Sequence, residues 1–236
     1  MSTGSWLLAV ALVVFGYLMG SISPSVFLGK IFKGLDVRKQ GSGNAGTTNA
    51  FRVLGIRLGL AVLIADFLKG VIPVVLARYL SAPLVTVIVA FACVTGHNYS
   101  IFLRGRGGKG VATGAGAAVG MMPLPMAFLI AIFAILVFTT RIVAIASITC
   151  TILLPVMAVV FHQPLPYIVV CCLMSIVVLW AHRANMLRLW ERRERRVVFP
   201  WNKRIQTPVE TGPAAAIEAD GGVGDPRPAD PGAAGS

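Results

Sequence analysis

Apolar runs of bilayer-crossing length recur along most of this 236-residue chain and constrain its fold more than any other feature. A crossing helix needs about 20 mostly apolar residues. Runs of that kind fall at 6–27, 58–76, 83–102, 126–139, 142–161 and 167–180. A shorter run of small residues from 111 ends before Pro123 and Pro125. Only 13% of residues are charged and the mean hydropathy is +0.81, a balance far from that of a water-soluble domain. The expected class is therefore all-α, a polytopic membrane helix bundle with about seven transmembrane helices.

The basic residues orient that bundle. Lys30, Lys33, Arg38, Lys39, Arg52, Arg57, Arg104, Arg106, Lys109, Arg141 and the arginines from 183 on fall on one side of a seven-crossing bundle, with Arg78 as the exception. The positive-inside rule then predicts an outside amino terminus and a cytoplasmic carboxyl terminus. A five-span bundle that drops the two shortest runs keeps that orientation. The first run has no basic n-region and no clear cleavage site, so a retained first span is expected rather than a signal peptide. After residue 206 the composition turns to Pro, Gly, Ala and acids, so a domain at 1–199 and a disordered cytoplasmic tail at 200–236 are expected.

The net charge of +12 calls for an anionic partner. Nucleic acid is excluded as that partner, because the basic residues are dispersed over short loops between spans. Cys93, Cys150, Cys171 and Cys172 lie in apolar runs without metal-ligand spacing and read as small buried residues. No Cys/His/Asp/Glu cluster suggests a metal or other cofactor. A bound phosphate would have to be neutralised by Arg, Lys and backbone amides.

Against this background the polar stretch 38–52 stands out. Gly41, Gly43 and Gly46 permit tight turns, Ser42, Asn44, Thr47, Thr48 and Asn49 supply short hydrogen-bonding groups, and Arg38, Lys39 and Arg52 add charge. Amides, hydroxyls and a guanidinium suit a phosphate. The string fits G-x-G-x-x-G, but no strand precedes it, so it is not a dinucleotide fingerprint. A second candidate is Gly107-Gly-Lys109-Gly110 at the start of an apolar run, where free amides and an ammonium favour a phosphate. It is not a Walker A loop, since Gly110 follows Lys109 in place of Ser or Thr. Asp66 and Lys69 lie three apart inside an apolar run, on one helix face. They are either a bundle-stabilising ion pair or, as favoured, a Lys69 turned to a cytoplasmic cavity with Asp66 orienting it. His97 and His182 lack an Asp five residues on, so neither forms the His-x4-Asp pair of the common glycerolipid acyltransferases. His97 serves equally well as a helix-end structural residue. His182 shares a helix face with Asn185, with Arg188 close by.

These motifs together resemble the bacterial acyl-phosphate:glycerol-3-phosphate acyltransferases of the PlsY type. Ser42-Gly-Asn-Ala-Gly-Thr-Thr-Asn49 with Arg52 resembles the family's first motif, and Asp66-Phe-Leu-Lys-Gly70 its short second-span signature. Gly96-His-Asn-Tyr-Ser-Ile-Phe102 followed by Gly107-Gly-Lys-Gly110 resembles its phosphate-binding motif, and His182-Arg-Ala-Asn185 with Arg188 its last. The resemblance spans roughly 16–194. Thr47 stands where the family usually has Ala, and Arg192 where a Gly is common before the motif's terminal acid, here Glu194.

With the resemblance, the candidate catalytic residues are Ser42, Arg52, Lys109, His182 and Asn185. The candidate substrate-binding residues are Gly43, Asn44, Gly46, Thr48, Asn49, Lys69, His97, Gly107, Gly108, Gly110 and Arg188. The resemblance implies acyl transfer from acyl phosphate to the 1-hydroxyl of glycerol 3-phosphate, yielding lysophosphatidic acid and phosphate, at the cytoplasmic face of the bacterial inner membrane. It implies the lipid bilayer as a further partner and no metal. The competing class is a transporter of a phosphorylated solute, which intramembrane Asp66 and Lys69 would suit, though no inverted repeat is evident.

Overall fold

Proline and glycine punctuate the apolar runs and decide where each helix starts and stops. The computed structural model describes residues 3–197, and every regular element among them is helical. The α-helices are α1 (Thr3–Ser21), α2 (Pro24–Lys33), α3 (Thr47–Leu54), α4 (Ile56–Leu80), α5 (Pro83–Asn98), α6 (Val111–Met121), α7 (Pro123–Thr140), α8 (Val143–Val160), α9 (Leu165–Ala181) and α10 (Arg183–Trp190). Single 3-10 turns lie at Val37–Lys39 and Ile101–Leu103. Pro24, Pro83 and Pro123 open their helices, where a missing N–H costs nothing. Gly34, at φ 63°, closes α2 with its N–H on the Lys30 carbonyl.

Five of these helices are long and apolar enough to cross a membrane, and six spans result if α9 and α10, bent by 59° at their junction, count as one. The expected fourth span is α6, whose 11 residues reach only about 16 Å against a hydrocarbon core of about 30 Å. The first run is also divided: α1 ends at Ser21, and α2 is a separate ten-residue helix whose buried residues are Ser25, Val26 and Gly29. Large apolar side chains point outward along the spans, among them Leu7, Phe128, Ile176 and Trp180. That surface suits lipid. The boundary expected at 199/200 and the tail beyond it lie outside the described residues.

Small residues set the helix packing, as expected where neither water nor lipid drives helices together. Gly16 and Gly20 of α1 face Val89 and Cys93 of α5, and Gly96 of α5 faces Tyr17 and Ser21. Residue numbers rise together along both helices, so α1 and α5 run parallel. The pair α4 and α6 repeats the arrangement, with Gly70 against the Thr113 carbonyl, Gly116 against the Phe67 carbonyl and Gly120 against Val74. A Cβ at Gly20, Gly70 or Gly116 would collide with a neighbouring backbone carbonyl.

The register of α6 determines where the polar loops end up. The Thr113 hydroxyl donates to the Asp66 carbonyl at 3.0 Å, and Arg78 Nη1 donates to the Gly120 carbonyl at 3.3 Å. So α6 lies only beside the second half of α4. The preceding loop covers the remaining length by folding back on the end of α5: Gly107 N donates to the Asn98 carbonyl at 3.2 Å and Gly108 N to the His97 carbonyl at 3.0 Å.

Candidate functional site

The loop before α3 is held by its own asparagines. Asn49 is buried. Its Nδ2 donates to the Val37 and Gln40 carbonyls at 2.8 and 3.1 Å, and its Oδ1 accepts from Ser42 N at 2.8 Å. Asn44 Oδ1 accepts from Gly46 N at 2.8 Å. These two expected substrate binders therefore spend their side chains on loop shape. Gly41 and Gly43 take φ of 62° and 71°, which exposes Ser42 and Gly43 at the turn. Asp36 caps the 3-10 turn through Arg38 N and pairs with the Arg38 guanidinium at 2.6 Å, which pulls its carboxyl down to about 2. Thr48 is half-buried on the first turn of α3, and Arg52 is exposed one turn later.

The loop before α6 meets this one at Gly46, whose added Cβ would lie 4.0 Å from Gly108 Cα. Gly107 and Gly108 are needed for packing. A Cβ at Gly107 would strike the His97 carbonyl, and one at Gly108 the His97 imidazole. The obstacle in both cases is the end of α5. Gly110, at φ 81°, caps α6. Lys109 is half-buried and its Nζ donates to Asn185 Oδ1.

The junction of α9 and α10 completes the group. His182 sits in the bend, buried, with Nδ1 2.8 Å from the Val178 carbonyl. A carbonyl only accepts, so Nδ1 carries the proton and Nε2 keeps a lone pair. Arg188 Nε donates to Glu194 Oε2 at 2.8 Å. Burial pushes the Lys109 ammonium down to about 8, with Glu194 opposing the shift and Arg188 and Arg52 adding to it. Arg52, exposed as a residue but with its guanidinium partly shielded from water among these charges, is also lowered by that shielding and by Arg195 and Arg188, with Glu194 opposing. Arg52, Lys109, Arg188 and Arg195 thus share one field with the carboxylate of Glu194. Such an excess of cations invites an anion. Arg38, Phe102, Leu103, Arg104 and Arg106 line a separate groove of about 390 Å³.

Residues 10–192 match the family model for glycerol-3-phosphate acyltransferase. The chain belongs to the glycerol-3-phosphate acyltransferase family. Relatives include the glycerol-3-phosphate acyltransferases of Shouchella clausii, 44% identical over 76% of this chain and 91% of that one, and of Rubrobacter xylanophilus, 40% identical over 80% and 96%. Among solved structures, the fold matches the crystal structure of PlsY, an integral membrane glycerol 3-phosphate acyltransferase, in its glycerol 3-phosphate form. The TM-score is 0.77 with 36% identity, over 80% of this chain and 96% of that one. The lysophosphatidic acid form of PlsY matches with a TM-score of 0.74.

Asp66, Lys69 and Gly70 of the family's second-span signature are buried within the bundle. Lys69 is buried, pairs with Asp66 at 2.8 Å and donates to the Ile22 carbonyl at 2.6 Å. These are the contacts of the ion-pair alternative. His97 is buried beside it, with Nδ1 3.0 Å from the Thr113 hydroxyl and 3.6 Å from Asp66. Thr47 donates to Asp66 Oδ2 at 3.0 Å. Sequence reasoning missed Thr113 and left Glu194 without a role. The signal for Thr113 was a lone hydroxyl among small apolar residues of α6. Among the described residues no three His, Cys, Asp or Glu side chains gather as a metal site.

Proposed function

We propose that this chain transfers a fatty acyl group from acyl phosphate to the 1-hydroxyl of glycerol 3-phosphate, giving lysophosphatidic acid and inorganic phosphate. The observation that carries the reading is the convergence of Lys109, Asn185, His182 and Arg188 with Arg52 around a single acid. Two phosphate-bearing substrates repel one another, and this excess of positive charge offsets that repulsion. Family membership and the two liganded forms of PlsY support the same substrate class.

In the proposed step the hydroxyl oxygen attacks the acyl carbonyl directly. The new C–O ester bond forms, the carbonyl-to-phosphate C–O bond breaks, and phosphate leaves with its electron pair. The donor is an activated mixed anhydride, so alignment and charge stabilisation suffice. Arg52 and Lys109 hold the phosphates, while Ser42, His182 and Asn185 bind and orient the reacting groups. The proton passes to the phosphate of glycerol 3-phosphate. His182→Gln keeps an amide in place of the imidazole and is expected to retain measurable turnover. Trapping an acylated Ser42, or a His182→Gln variant that binds both substrates but is dead, would replace this route with an enzyme nucleophile or base.

We further infer an outside amino terminus and a cytoplasmic site, with α6 completing a seventh, partial crossing. The parallel runs of α1 with α5 and of α4 with α6, together with the basic loops at one end, support this orientation. Reporter fusions at the two termini test it.

The deciding assay incubates purified protein with acyl phosphate, glycerol 3-phosphate and a chelator, and follows lipid product. Full activity is expected without acyl-CoA, acyl-carrier protein or divalent metal. Dependence on acyl-CoA would overturn the reading.

A further inference from the structure

We infer that buried Asp66 is a positioning residue that couples the two glycine-rich loops to each other, one through its side chain and one through its main chain. The inference rests on the acyltransferase reading, and it concerns Asp66, Thr47 and Thr113, which lie outside the proposed catalytic and substrate-binding residues.

Asp66 lies in the middle of α4 and is 1% exposed. One of its oxygens, Oδ2, accepts from the Thr47 hydroxyl on the first turn of α3, so it fixes the end of the first loop. The other, Oδ1, pairs with Lys69 and lies 3.6 Å from His97 Nδ1. The main chain of the same residue also takes part: its carbonyl accepts the hydroxyl hydrogen of Thr113 at 3.0 Å. Thr113 has only that hydrogen to give. Its oxygen must therefore accept at the 3.0 Å contact with His97, which places the imidazole proton on Nδ1. Thr113 thus orients Nδ1, and the Asp66 carboxylate lies beyond hydrogen-bonding distance at 3.6 Å.

The fixed imidazole forms the floor of the second loop. Its Nε2 edge occupies the space where a Gly108 side chain would stand, and the His97 carbonyl accepts from Gly108 N. Lys109 follows directly. A chain of contacts thus runs from Thr47 through Asp66, Thr113 and His97 to Gly108. Both loops are registered against one buried residue, the first through the Asp66 carboxylate, which Lys69 neutralises, and the second through the Asp66 main-chain carbonyl. Rigid packed contacts transmit displacement. Losing either end is expected to let one loop shift relative to the other, so that substrate binding suffers more than the chemical step.

The test is a double-mutant cycle with two near-isosteric changes, Thr47→Val and Thr113→Val, read as KM for glycerol 3-phosphate, kcat and thermal midpoint in detergent. Each single change is expected to raise KM roughly threefold with kcat little altered. The double variant is expected to stay near the larger single effect, well short of the ninefold product, because both break one coupled unit. Thr47→Ser keeps the donor and is expected to restore wild-type KM. Multiplicative KM effects, a kcat loss without a KM change, or a shift in thermal midpoint alone would overturn the inference. Wild-type turnover in the same assay reports separately on the acyltransferase reading, so the two fail in distinguishable ways.

Discussion

The two charged regions of this molecule use similar side chains for opposite ends. Around Asp66, one carboxylate, one lysine, a histidine and two threonines sit within the bundle, and protein groups supply their partners. Around Lys109, a lysine, three arginines, a histidine and an asparagine share the one acid Glu194. The first region is balanced, with the charge of Lys69 answered by Asp66. The second is not: Arg52, Lys109, Arg188 and Arg195 exceed what Glu194 can neutralise. A balanced buried cluster contributes geometry. An unbalanced, half-exposed one leaves room for an anionic substrate, and the imbalance marks the site better than any one residue type.

The largest effect expected from breaking this contrast lies on the balanced side. Lys69→Met leaves the Asp66 carboxylate buried beside an apolar chain, a change worth about 3–5 kcal/mol of stability. A collapse in folded yield and thermal midpoint in detergent is expected. Normal stability with a selective loss of substrate binding would mean that Lys69 belongs to the site.

On the unbalanced side, Lys109→Ala and Arg52→Ala are each expected to lower kcat/KM by about 100-fold or more while the protein stays folded. Arg52→Lys should also be poor, because an ammonium cannot reproduce a two-pronged guanidinium contact. Folded variants with near-normal kinetics would remove phosphate binding from this cluster. Glu194→Gln sharpens the point. Lys109 is useful while protonated, so kcat/KM should fall as pH rises through about 8. Glu194 opposes the depression of the Lys109 pKa. Its neutralisation should move that alkaline limb to lower pH, and a pH–rate profile that does not move would show that the limb belongs to another group.

A smaller effect is expected where the two regions meet. Gly108→Ala drives a Cβ into the His97 imidazole, an overpacking of about 1–3 kcal/mol. KM for glycerol 3-phosphate should rise as the loop is displaced. Unchanged KM would show that the loop tolerates the shift.

How much of this could be read from the chain alone divides along the same line. Helix class, the apolar runs and the cationic residues were legible, because lipid burial demands long apolar stretches and phosphate demands charge. Lys109 and Asn185 lie 76 residues apart, and their contact depends on the fold-back of the loop onto α5, which no local pattern encodes. The loop contacts of Asn44, Asn49 and Gly107 were not legible for a related reason. A short amide or a glycine in a polar loop looks the same whether it meets a ligand or its own backbone.

The smallest expected effect concerns Arg192, where the chain departs from the glycine common at this place in its family. Arg192 adopts φ 55° just after α10, with its N–H on the Leu189 carbonyl at 3.0 Å and Arg193 N on the Arg188 carbonyl at 2.8 Å. This is a left-handed helix end of the kind usually built with glycine. A residue with a Cβ pays about 1–2 kcal/mol there. Glycine would avoid that but lose about 0.5–1 kcal/mol through extra freedom in the unfolded chain. The difference favours Arg192→Gly by roughly 0.5–1 kcal/mol. The turn also sets the path of the chain to Glu194, two residues on, which pairs with Arg188. Arg192→Gly should therefore raise the thermal midpoint slightly, by about 1–4 °C, and leave kcat/KM within about twofold, since the turn keeps its shape. A lower midpoint would mean that the Arg192 side chain makes a stabilising contact that outweighs its backbone strain. A large fall in kcat/KM at unchanged stability would place Arg192 among the cations of the site.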